Sequence, residues 1–430
     1  RAASYGARVV IAEGGRVGGT CVLRGCIPKK LMVYASHFGD SHAVGGSYGW
    51  DGPAPTFSWS KLKARRDAVV AGLEANHRRS LETAGVALVA GRARLVEADT
   101  VEVGGARYRA RHILVATGGR PSLPQVPGIE HCITSDDFFE LPAAPKRALV
   151  VGGGYIAVEL ACIFNALGCR TTLWVRSAVL RGFDKDIRTE LVRAMGRQGI
   201  SVEEGVDLRD VHREAGGLQV RGRGEAGERA CEVDTCLVAV GRTPSTGGLG
   251  LAEVGVQLTE GGAVRVDGDH TTAVPTLHAV GDVIDRVNLT PVAIKASRTL
   301  ADRLFGGKPD ARMSYETVAT AVFGQPEVAV VGLTEEEART RLGDRVRAYK
   351  ARFVPLLYSM VPADQKVHSL MKLVVDGDTD RVLGFHMLGD GAAEIIQGFA
   401  ACLSAGITKA QLDATFAIHP SQAEEFVLMR

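Results

Sequence analysis

The sequence predicts an α/β protein built from two Rossmann-like dinucleotide-binding domains and a C-terminal α+β domain. Three observations support this prediction. At 430 residues the chain is too long for one hydrophobic core and should form about three domains. A strand, a glycine turn, a helix and a second strand follow one another in residues 148–175, as in dinucleotide-binding βαβ units. After Tyr315 the sequence changes to alternating strands and helices.

Charge and composition exclude several classes of partner. The 51 basic and 49 acidic residues leave a net charge of +2 without a long run of either sign, so neither nucleic acid nor an anionic membrane is indicated. No apolar run approaches the roughly 20 residues of a membrane-spanning helix. The 8 cysteines are too few in so long a chain for a secreted disulfide framework. We therefore expect a cytoplasmic protein.

The first residues look like the middle of a nucleotide-binding unit. Residues 1–5 predict the end of a helix, with Gly6 past its C-cap, and residues 7–12 predict a short buried strand. The strand ends at Glu13, whose carboxylate could bind the ribose hydroxyls of a dinucleotide. A simple polar strand end is the alternative interpretation of Glu13. We expect the glycine fingerprint of this unit to lie upstream of the chain, so that its first domain is truncated.

Two cysteines lie five residues apart between a predicted strand-loop and a predicted helix. They are Cys21 and Cys26, within the segment of residues 18–30. Zinc and iron–sulfur sites need about four ligands, and neither a second cysteine pair nor a histidine cluster joins these two. We therefore predict redox chemistry and no metal. Five residues of ideal helix rise about 7.5 Å, more than a disulfide spans, so a bridge needs a distorted first turn, which Gly25 would permit.

The chain repeats this spacing in a different setting. Cys231 and Cys236 lie within residues 230–240, which read as one strand. Their separation in a strand would be about 16 Å, so we expect no bridge between them.

Residues 148–175 contain a complete second nucleotide-binding unit. Residues 148–151 predict a strand, and Gly152-Gly-Gly-Tyr-Ile-Ala matches the pattern G-x-G-x-x-A. An apolar helix over residues 158–167 and a strand over residues 171–175 follow. The glycine amides and the helix N-terminus would hold a pyrophosphate.

The end of the strand over residues 171–175 should decide which nicotinamide cofactor is used. An acidic residue there favours NAD, whereas arginine favours the 2′-phosphate of NADP. This chain has Arg176 at that place and Arg181 close behind, which predicts NADPH. Ordinary solvated arginines are the alternative.

Two apolar strands, each followed by Gly, Arg and Pro, echo each other in residues 113–121 and 237–244. A partial third echo ends in Asp282, which suits a ribityl hydroxyl. We interpret these segments as chain crossings between two nucleotide-binding domains. In the last domain we expect strands over residues 371–375 and 382–388 and a helix over residues 393–405.

With these features in view, the chain resembles the glutathione reductases, a branch of the FAD-dependent pyridine nucleotide-disulfide oxidoreductases. The motifs that carry the resemblance are residues 18–30, 152–159, 239–246, 279–282, 289–294 and 419–425. The resemblance covers essentially the whole chain. It implies an FAD-binding domain over residues 1–118, an NADPH-binding domain over 119–244, a central domain over 245–312 that completes the FAD site, and an interface or dimerisation domain over 313–430.

The resemblance also implies a role for each matching residue. Cys26 would face the flavin as the charge-transfer thiol, and Cys21 would attack the substrate disulfide. His419, oriented by Glu424, would be the acid–base partner, and an imidazole titrating near neutral pH suits both proton transfers. Lys29 would pair with Glu159 beside the reactive flavin edge.

The remaining site residues follow from the same resemblance. The implied FAD-binding residues are Glu13, Gly19, Thr20, Lys30, Thr117, Gly118, Asp282 and Thr290. The implied NADPH-binding residues are Gly152, Gly154, Tyr155, Ile156, Glu159, Arg176, Arg181 and Gly241. The implied substrate residues are Arg298, at a position that binds a glutathione carboxylate, and His77, where many relatives have a tyrosine.

The activity implied is NADPH-dependent reduction of glutathione disulfide through FAD and a redox-active Cys21–Cys26 disulfide, with a role in cell redox homeostasis. In this family the histidine comes from the partner subunit, so a homodimer is implied. Two alternatives stay open: a reductase of another low-molecular-weight disulfide, and a flavin-free inactive fragment or thiol-binding protein.

Overall fold

The computed structural model describes residues 1–53, 55–225 and 227–430. The chain folds into two compact units. Unit one comprises Arg1–Pro28, Ala64–Ser122 and Gly241–Tyr315, and unit two comprises Lys29–Lys63, Leu123–Val240 and Glu316–Arg430. The four-domain division expected from the sequence stays a prediction.

The α-helices of the described residues are numbered in chain order. They are α1 (Gly19–Arg24), α2 (Cys26–Gly46), α3 (Trp59–Thr83), α4 (Ser135–Phe138), α5 (Tyr155–Ala166), α6 (Lys185–Arg197), α7 (Thr290–Phe305), α8 (Glu335–Leu342), α9 (Ala392–Ser404), α10 (Lys409–Asp413) and α11 (Glu425–Leu428).

The strands are numbered in the same way. They are β1 (Val10–Glu13), β2 (Ala87–Ala90), β3 (Ala93–Glu97), β4 (Thr100–Val103), β5 (Ala106–Arg109), β6 (Ile113–Val115), β7 (Gly119–Pro121), β8 (Arg147–Val151), β9 (Arg170–Val175), β10 (Ser201–Glu204), β11 (Asp207–Glu214), β12 (Gly217–Gly224), β13 (Gly227–Val233), β14 (Thr235–Val238), β15 (Arg242–Pro244), β16 (Leu277–Ala279), β17 (Thr320–Val322), β18 (Val328–Gly332), β19 (Val346–Phe353), β20 (Ser369–Asp376) and β21 (Val382–Leu388).

Unit one is assembled from small sheets. Strand β1 pairs in parallel with β2, β6 pairs in parallel with β16, and β3, β4 and β5 form an antiparallel meander. The two echoing Gly-Arg-Pro segments are partners, because β7 and β15 pair antiparallel. The chain leaves unit one after Ser122 and returns at Gly241, so this pair marks both crossings.

The expectation of a buried first strand is wrong. Val10 is 50% exposed and Ile11 is 36% exposed. Among the described strands, β1 hydrogen-bonds only to β2, so the side chains of this narrow ribbon keep contact with solvent.

Unit two contains the dinucleotide-type sheet. Its four parallel strands lie in the order β10-β9-β8-β14. The predicted strands and helix of residues 148–175 correspond to β8, α5 and β9. Strand β8 is almost wholly buried, as expected for a parallel strand that is covered on both faces.

The last part of unit two is a five-stranded antiparallel sheet with the order β17-β18-β21-β20-β19. The strands and helix predicted over residues 371–405 correspond to β20, β21 and α9. Phe385, Phe399 and Phe426 form an aromatic trio between this sheet and its helices, with ring centroids 4.7–5.4 Å apart.

The single strand expected over residues 230–240 is two strands, β13 and β14. Asp234 separates them, and its Oδ2 accepts hydrogen bonds from the backbone amides of Lys146 and Arg147, at 3.0 and 2.9 Å. Cys231 and Cys236 therefore belong to different sheets, and neither is bridged.

The helices of the described residues include none that is both long enough and apolar enough to cross a membrane.

Candidate active site

A pair of thiols lies in unit one, at the break between helices α1 and α2. Cys21 is in α1, and Cys26 is the first residue of α2. Gly25 makes the break possible, because a Cβ atom at this position would lie 2.8 Å from the carbonyl oxygen of Thr20. The distorted turn that the spacing required is therefore present, and the two cysteine side chains interact. All 8 cysteines are thiols in this structure.

The two thiols have unequal surroundings. The hydrogen bond with Cys26, together with burial, raises the pKa of Cys21 well above its usual range. Cys26 is more exposed and lies at the N-terminus of a 21-residue helix, where the helix dipole favours a thiolate. Its Sγ is 3.8 Å from the Oγ1 of Thr290, which can donate to that thiolate. In the reduced pair, the helix dipole and Thr290 thus favour a thiolate at Cys26, whereas Cys21 keeps its proton.

A part-buried carboxylate belongs to the same unit. Asp282 lies in the short 3-10 helix Gly281–Ile284, directly after β16. Burial raises the pKa of its carboxyl group, and the nearest cation is the Nε of Arg242, at 3.9 Å from Oδ2. A carboxylate that is held this loosely can still accept hydrogen bonds from ligand hydroxyls, as a ribityl chain would require.

Other residues expected at the FAD site already have protein partners. Glu13 ends β1 and accepts a hydrogen bond from the amide of Gly15 at 2.8 Å. Thr117 donates through Oγ1 to the carbonyl of Ser245 at 2.7 Å. Gly118 follows with a φ of +68°, a conformation that favours glycine.

Gly19 and Thr20 open helix α1 immediately before Cys21. The expected substrate residues are both exposed on helices of unit one. Arg298 is in α7, eight residues after Thr290, which corresponds to about 12 Å along the helix. His77 is in α3.

The glycine turn of unit two fits a dinucleotide. A side chain at Gly152 would collide with the carbonyl of Ala239, and a Cβ at Gly153 would lie 2.6 Å from Cγ1 of Val175. At Gly154 a Cβ would meet nothing within 4 Å, and this residue caps the 12-residue α5 without a side-chain hydrogen bond. Gly152 and Gly153 are therefore packed tightly against the strands, while the N-terminus of α5 at Gly154 stays open for a phosphate.

The two arginines expected to select NADPH lie close to this turn. Arg176 directly follows β9, and Arg181 comes five residues later; both side chains are exposed. Leu180, between them, donates its amide to the carbonyl of Gly153 at 2.6 Å. This hydrogen bond holds the arginine loop against the phosphate-binding turn.

The other predicted NADPH residues have different surroundings. Tyr155 is 37% exposed at the start of α5. The side chain of Ile156 packs against the apolar core, so only its backbone can face a ligand. Gly241 lies in unit one, where its carbonyl accepts from the amide of Ser122 at 2.9 Å.

A buried ion pair joins Lys29 of α2 to Glu159 of α5. The Nζ atom lies 2.7 Å from Oε1, and the two side chains are only 11% and 5% exposed. The same carboxylate oxygen accepts the amide of Phe323 at 2.9 Å. The Phe323 ring also lies under two ammonium groups, 4.2 Å from the Nζ of Lys29 and 3.9 Å from that of Lys30.

Lys30, which the resemblance assigned to FAD, has a protein partner in unit two. Its Nζ lies 3.1 Å from Oε1 of Glu327, whose side chain is 8% exposed. The charge of Lys30 is thus already balanced by a buried carboxylate.

The histidine near the C-terminus is exposed but oriented. The side chain of His419 is 80% exposed, and its Nδ1 lies 3.0 Å from Oε2 of Glu424, which is 12% exposed. The amide of Ser421 donates to the other carboxylate oxygen at 3.3 Å. With Nδ1–H donated to this fixed carboxylate, Nε2 faces outward and can exchange a proton.

The structure thus brings together three predicted sets within the units: Cys21 with Cys26 and Thr290, Lys29 with Glu159, and His419 with Glu424. Sequence reasoning missed Phe323 and Arg242. Phe323 is 294 positions beyond Lys29, and no local pattern points to it. The sequence could have indicated Arg242, because it is the arginine of the second Gly-Arg-Pro echo, but no role was assigned to this arginine. Within the described residues, no cluster of three or more His, Cys, Asp or Glu side chains could hold a metal ion.

Comparison with known proteins defines the class of this chain. A family model described as pyridine nucleotide-disulphide oxidoreductase matches residues 1–297, and the dimerisation domain of the same family matches residues 318–430. The chain belongs to the pyridine nucleotide-disulphide oxidoreductase family. The predicted α/β fold class is thereby confirmed.

Particular relatives are named glutathione reductase. The protein of that name from Burkholderia cepacia is 47% identical over 100% of this chain and 94% of its own length. Another from Nostoc sp. is 46% identical over 100% and 95%. The chloroplastic/mitochondrial protein from Pisum sativum is 42% identical over 97% of this chain and 75% of its own length. The family to which these relatives belong uses FAD and NADPH, which confirms the two cofactors expected from the sequence.

Proposed function

We propose that this protein reduces glutathione disulfide to two molecules of glutathione at the expense of NADPH, with FAD and the Cys21–Cys26 pair as carriers. The observation that carries the proposal is the dithiol held at the Gly25 break, in a chain that aligns over its full length with glutathione reductases. FAD and NADPH, when bound, supply the two electrons that regenerate the dithiol.

The cysteines perform two exchange steps. The thiolate of Cys21 attacks one sulfur of glutathione disulfide, which forms a mixed disulfide and expels the first glutathione thiolate. The Cys26 thiolate then attacks the sulfur of Cys21, which closes the Cys21–Cys26 bridge and expels the second glutathione. This order requires a base, because the hydrogen bond with Cys26, together with burial, raises the pKa of Cys21, which therefore keeps its proton until a base removes it.

His419 is the proton carrier in this scheme. It removes the proton of Cys21 before attack and returns it to the leaving glutathione thiolate, while Glu424 orients the ring. Because the His419 ring is exposed and its Nε2 faces outward, this nitrogen can reach thiols on a second subunit. The protein acts as a homodimer in which His419 of one subunit serves the thiols of the other, and the match to a dimerisation domain supports this arrangement.

The cofactors are assigned to the residues that the resemblance implied. Within unit one, FAD is held by Glu13, Gly19, Thr20, Thr117, Gly118, Asp282 and Thr290. Within unit two, NADPH is held by Gly152, Gly154, Tyr155 and Ile156, and its 2′-phosphate by Arg176 and Arg181. We also propose the four domain boundaries given in the sequence analysis, and the cytoplasm as the compartment.

The substrate is recognised by its charge. Glutathione disulfide carries carboxylates, and an exposed arginine is suited to bind them through paired hydrogen bonds. Arg298 provides such a group on the helix that begins at Thr290, next to Cys26. His77 is the second candidate contact with the peptide.

The test is NADPH oxidation by the FAD-loaded protein with a panel of disulfides. We expect turnover with glutathione disulfide to exceed that with cystine and with an uncharged disulfide. Cys21→Ser and Cys26→Ser should reduce turnover to background, and Cys26→Ser should also lose the long-wavelength absorbance band of the reduced enzyme. Cys402→Ser, a matched change in α9, should leave turnover unchanged. Faster turnover with another disulfide would replace glutathione as the substrate, and a colourless protein that binds no FAD would overturn the proposal.

A further inference from the structure

A second pair of cysteines lies on two parallel extended segments of unit two. Ile133 forms a parallel bridge with Leu237 of β14. The amide of Ile133 donates to the carbonyl of Cys236, and the amide of Val238 donates to the carbonyl of Ile133, both at 2.8 Å. Cys132 precedes Ile133 in extended conformation, with φ −84° and ψ 157°. Cys132 and Cys236 each precede one residue of this β-bridge, so the two cysteines lie opposite each other on the neighbouring segments.

This alignment meets the geometric requirement of a disulfide. Hydrogen-bonded neighbouring segments run about 4.8 Å apart, and Cα separations of roughly 4.4–6.8 Å accommodate a disulfide. Aligned side chains on parallel segments project to the same face. The side chains of Cys132 and Cys236 are in fact placed as hydrogen-bond partners, so a bond between the two sulfurs needs little backbone movement.

The thiols of Cys132 and Cys236 differ in burial and in pKa. Cys236 is fully buried in the apolar cluster of β8, β12 and β14, whereas Cys132 is partly exposed at its edge. The hydrogen bond from Cys236 lowers the pKa of Cys132, which favours the thiolate that exchange reactions need. Cys132 can thus attack a disulfide from solvent, and Cys236 is positioned to attack the mixed disulfide that this first step forms on Cys132. Cys231 lies in the same cluster, but its side chain is hydrogen-bonded to Thr172.

We propose that Cys132 and Cys236 form a second thiol–disulfide pair, which low-molecular-weight disulfides oxidise. Cys132 loses its proton to water, and its thiolate attacks a disulfide R–S–S–R, which forms a mixed disulfide and expels R–S⁻, which takes a proton from water to give one thiol R–SH. The sulfur of Cys236 then attacks the sulfur of Cys132, transfers its proton to the second leaving group and releases another R–SH. Two protein thiols are oxidised, and one small disulfide is reduced to two thiols.

The cross-link would act on the dinucleotide-binding sheet. Cys236 is in β14, the edge strand beside β8, and Ala239 follows three residues later. The carbonyl of Ala239 is the group that leaves no room for a side chain at Gly152 of the phosphate-binding turn. A bridge at Cys132 ties this edge strand to a segment 104 positions earlier in the chain, which restricts local opening of the sheet.

The experiment uses the FAD-loaded protein carrying Cys21→Ser and Cys26→Ser, so that its outcome does not depend on the proposed catalytic pair. After full reduction, the protein is treated with glutathione disulfide, alkylated and analysed by peptide mass spectrometry. We expect a linked pair of peptides containing residues 132 and 236, the loss of two alkylatable thiols, and a higher apparent Tm than in the reduced protein.

Two further variants keep the test decisive. Adding Cys236→Ala should stop the reaction at a mixed disulfide on Cys132, and the apparent Tm of the reduced variant shows that it is folded. Adding Cys231→Ser should leave the linked peptides unchanged. The proposal is overturned if both thiols of the background protein remain alkylatable, or if Cys132 stays as a mixed disulfide while Cys236 is present and the protein is folded.

Discussion

Replacement of Lys29 by Met should destabilise unit two strongly, because it leaves a carboxylate buried without its cation. Glu159 is 5% exposed and, among the described residues, would retain the amide of Phe323 as its hydrogen-bond donor, at 2.9 Å. Removing one partner of a buried ion pair costs about 3–5 kcal/mol. At about 2 °C per kcal/mol for a unit of this size, the apparent Tm should fall by roughly 6–10 °C.

The assay is thermal unfolding at neutral pH of a matched set of variants. Lys308→Met is the control, since the Lys308 side chain is 60% exposed and lies 3.9 Å from Asp302, and such a surface pair contributes about 0–1 kcal/mol. The double variant Lys29→Met/Glu159→Gln should recover at least half of the loss, because the amide is neutral and still accepts from Phe323.

The reasoning fails if Lys29→Met lowers the apparent Tm no more than Lys308→Met does, or if the double variant recovers none of the loss.

Four further predictions concern other parts of the molecule. Lys372→Met should lower the free energy of unfolding by about 3–5 kcal/mol, as measured by thermal unfolding. The Lys372 side chain is 1% exposed, and its Nζ lies 2.8 Å from the fully buried Asp184. Burial, aided by repulsion from nearby cations, lowers the pKa of His278 to about 4; the unfolded state therefore binds a proton that the folded state does not. Stability should fall by up to about 3 kcal/mol between pH 6.5 and pH 4, and His278→Asn should flatten this slope in a plot of Tm against pH. His419→Gln should lower kcat by roughly 10²–10⁴-fold and leave Tm unchanged, since the ring is 80% exposed. Arg176→Gln should raise the KM for NADPH by about 10-fold or more and leave the KM for NADH unchanged, as measured in steady-state kinetics.

Local chemistry made part of the fold predictable. The turn at Gly152 and the helix after it follow from neighbouring residues, because a glycine turn and an apolar helical period are both encoded within about 20 positions. Strand β21 was expected over the residues it occupies, since it is a short apolar run bounded by turn residues. The Gly25 break followed from the reach of a disulfide compared with the rise of a helix.

Long-range contacts explain the failures. The strand expected over residues 230–240 is interrupted because Asp234 caps amides almost 90 positions earlier, and no local rule signals that partner. The expectation that Cys231 and Cys236 form no bridge holds, but the neighbour of Cys236 is Cys132, from a separate segment that no local pattern indicated. The pairing of Lys29 with Glu159 was inferred only from resemblance, and the aromatic ring that covers it was missed.

The two dithiols show how the backbone decides what the same chemical group can do. Cys26 begins a long helix, whose dipole stabilises a thiolate, and Thr290 offers a hydroxyl beside its sulfur. Cys236 lies in a strand within an apolar cluster, where the hydrogen bond with Cys132, together with burial, raises its pKa and disfavours the thiolate. The first pair can therefore exchange rapidly in both directions, as turnover requires. The second pair should exchange slowly, because its resolving thiol must lose a proton in an apolar environment, and so it is suited to recording exposure to oxidant but not to catalysis.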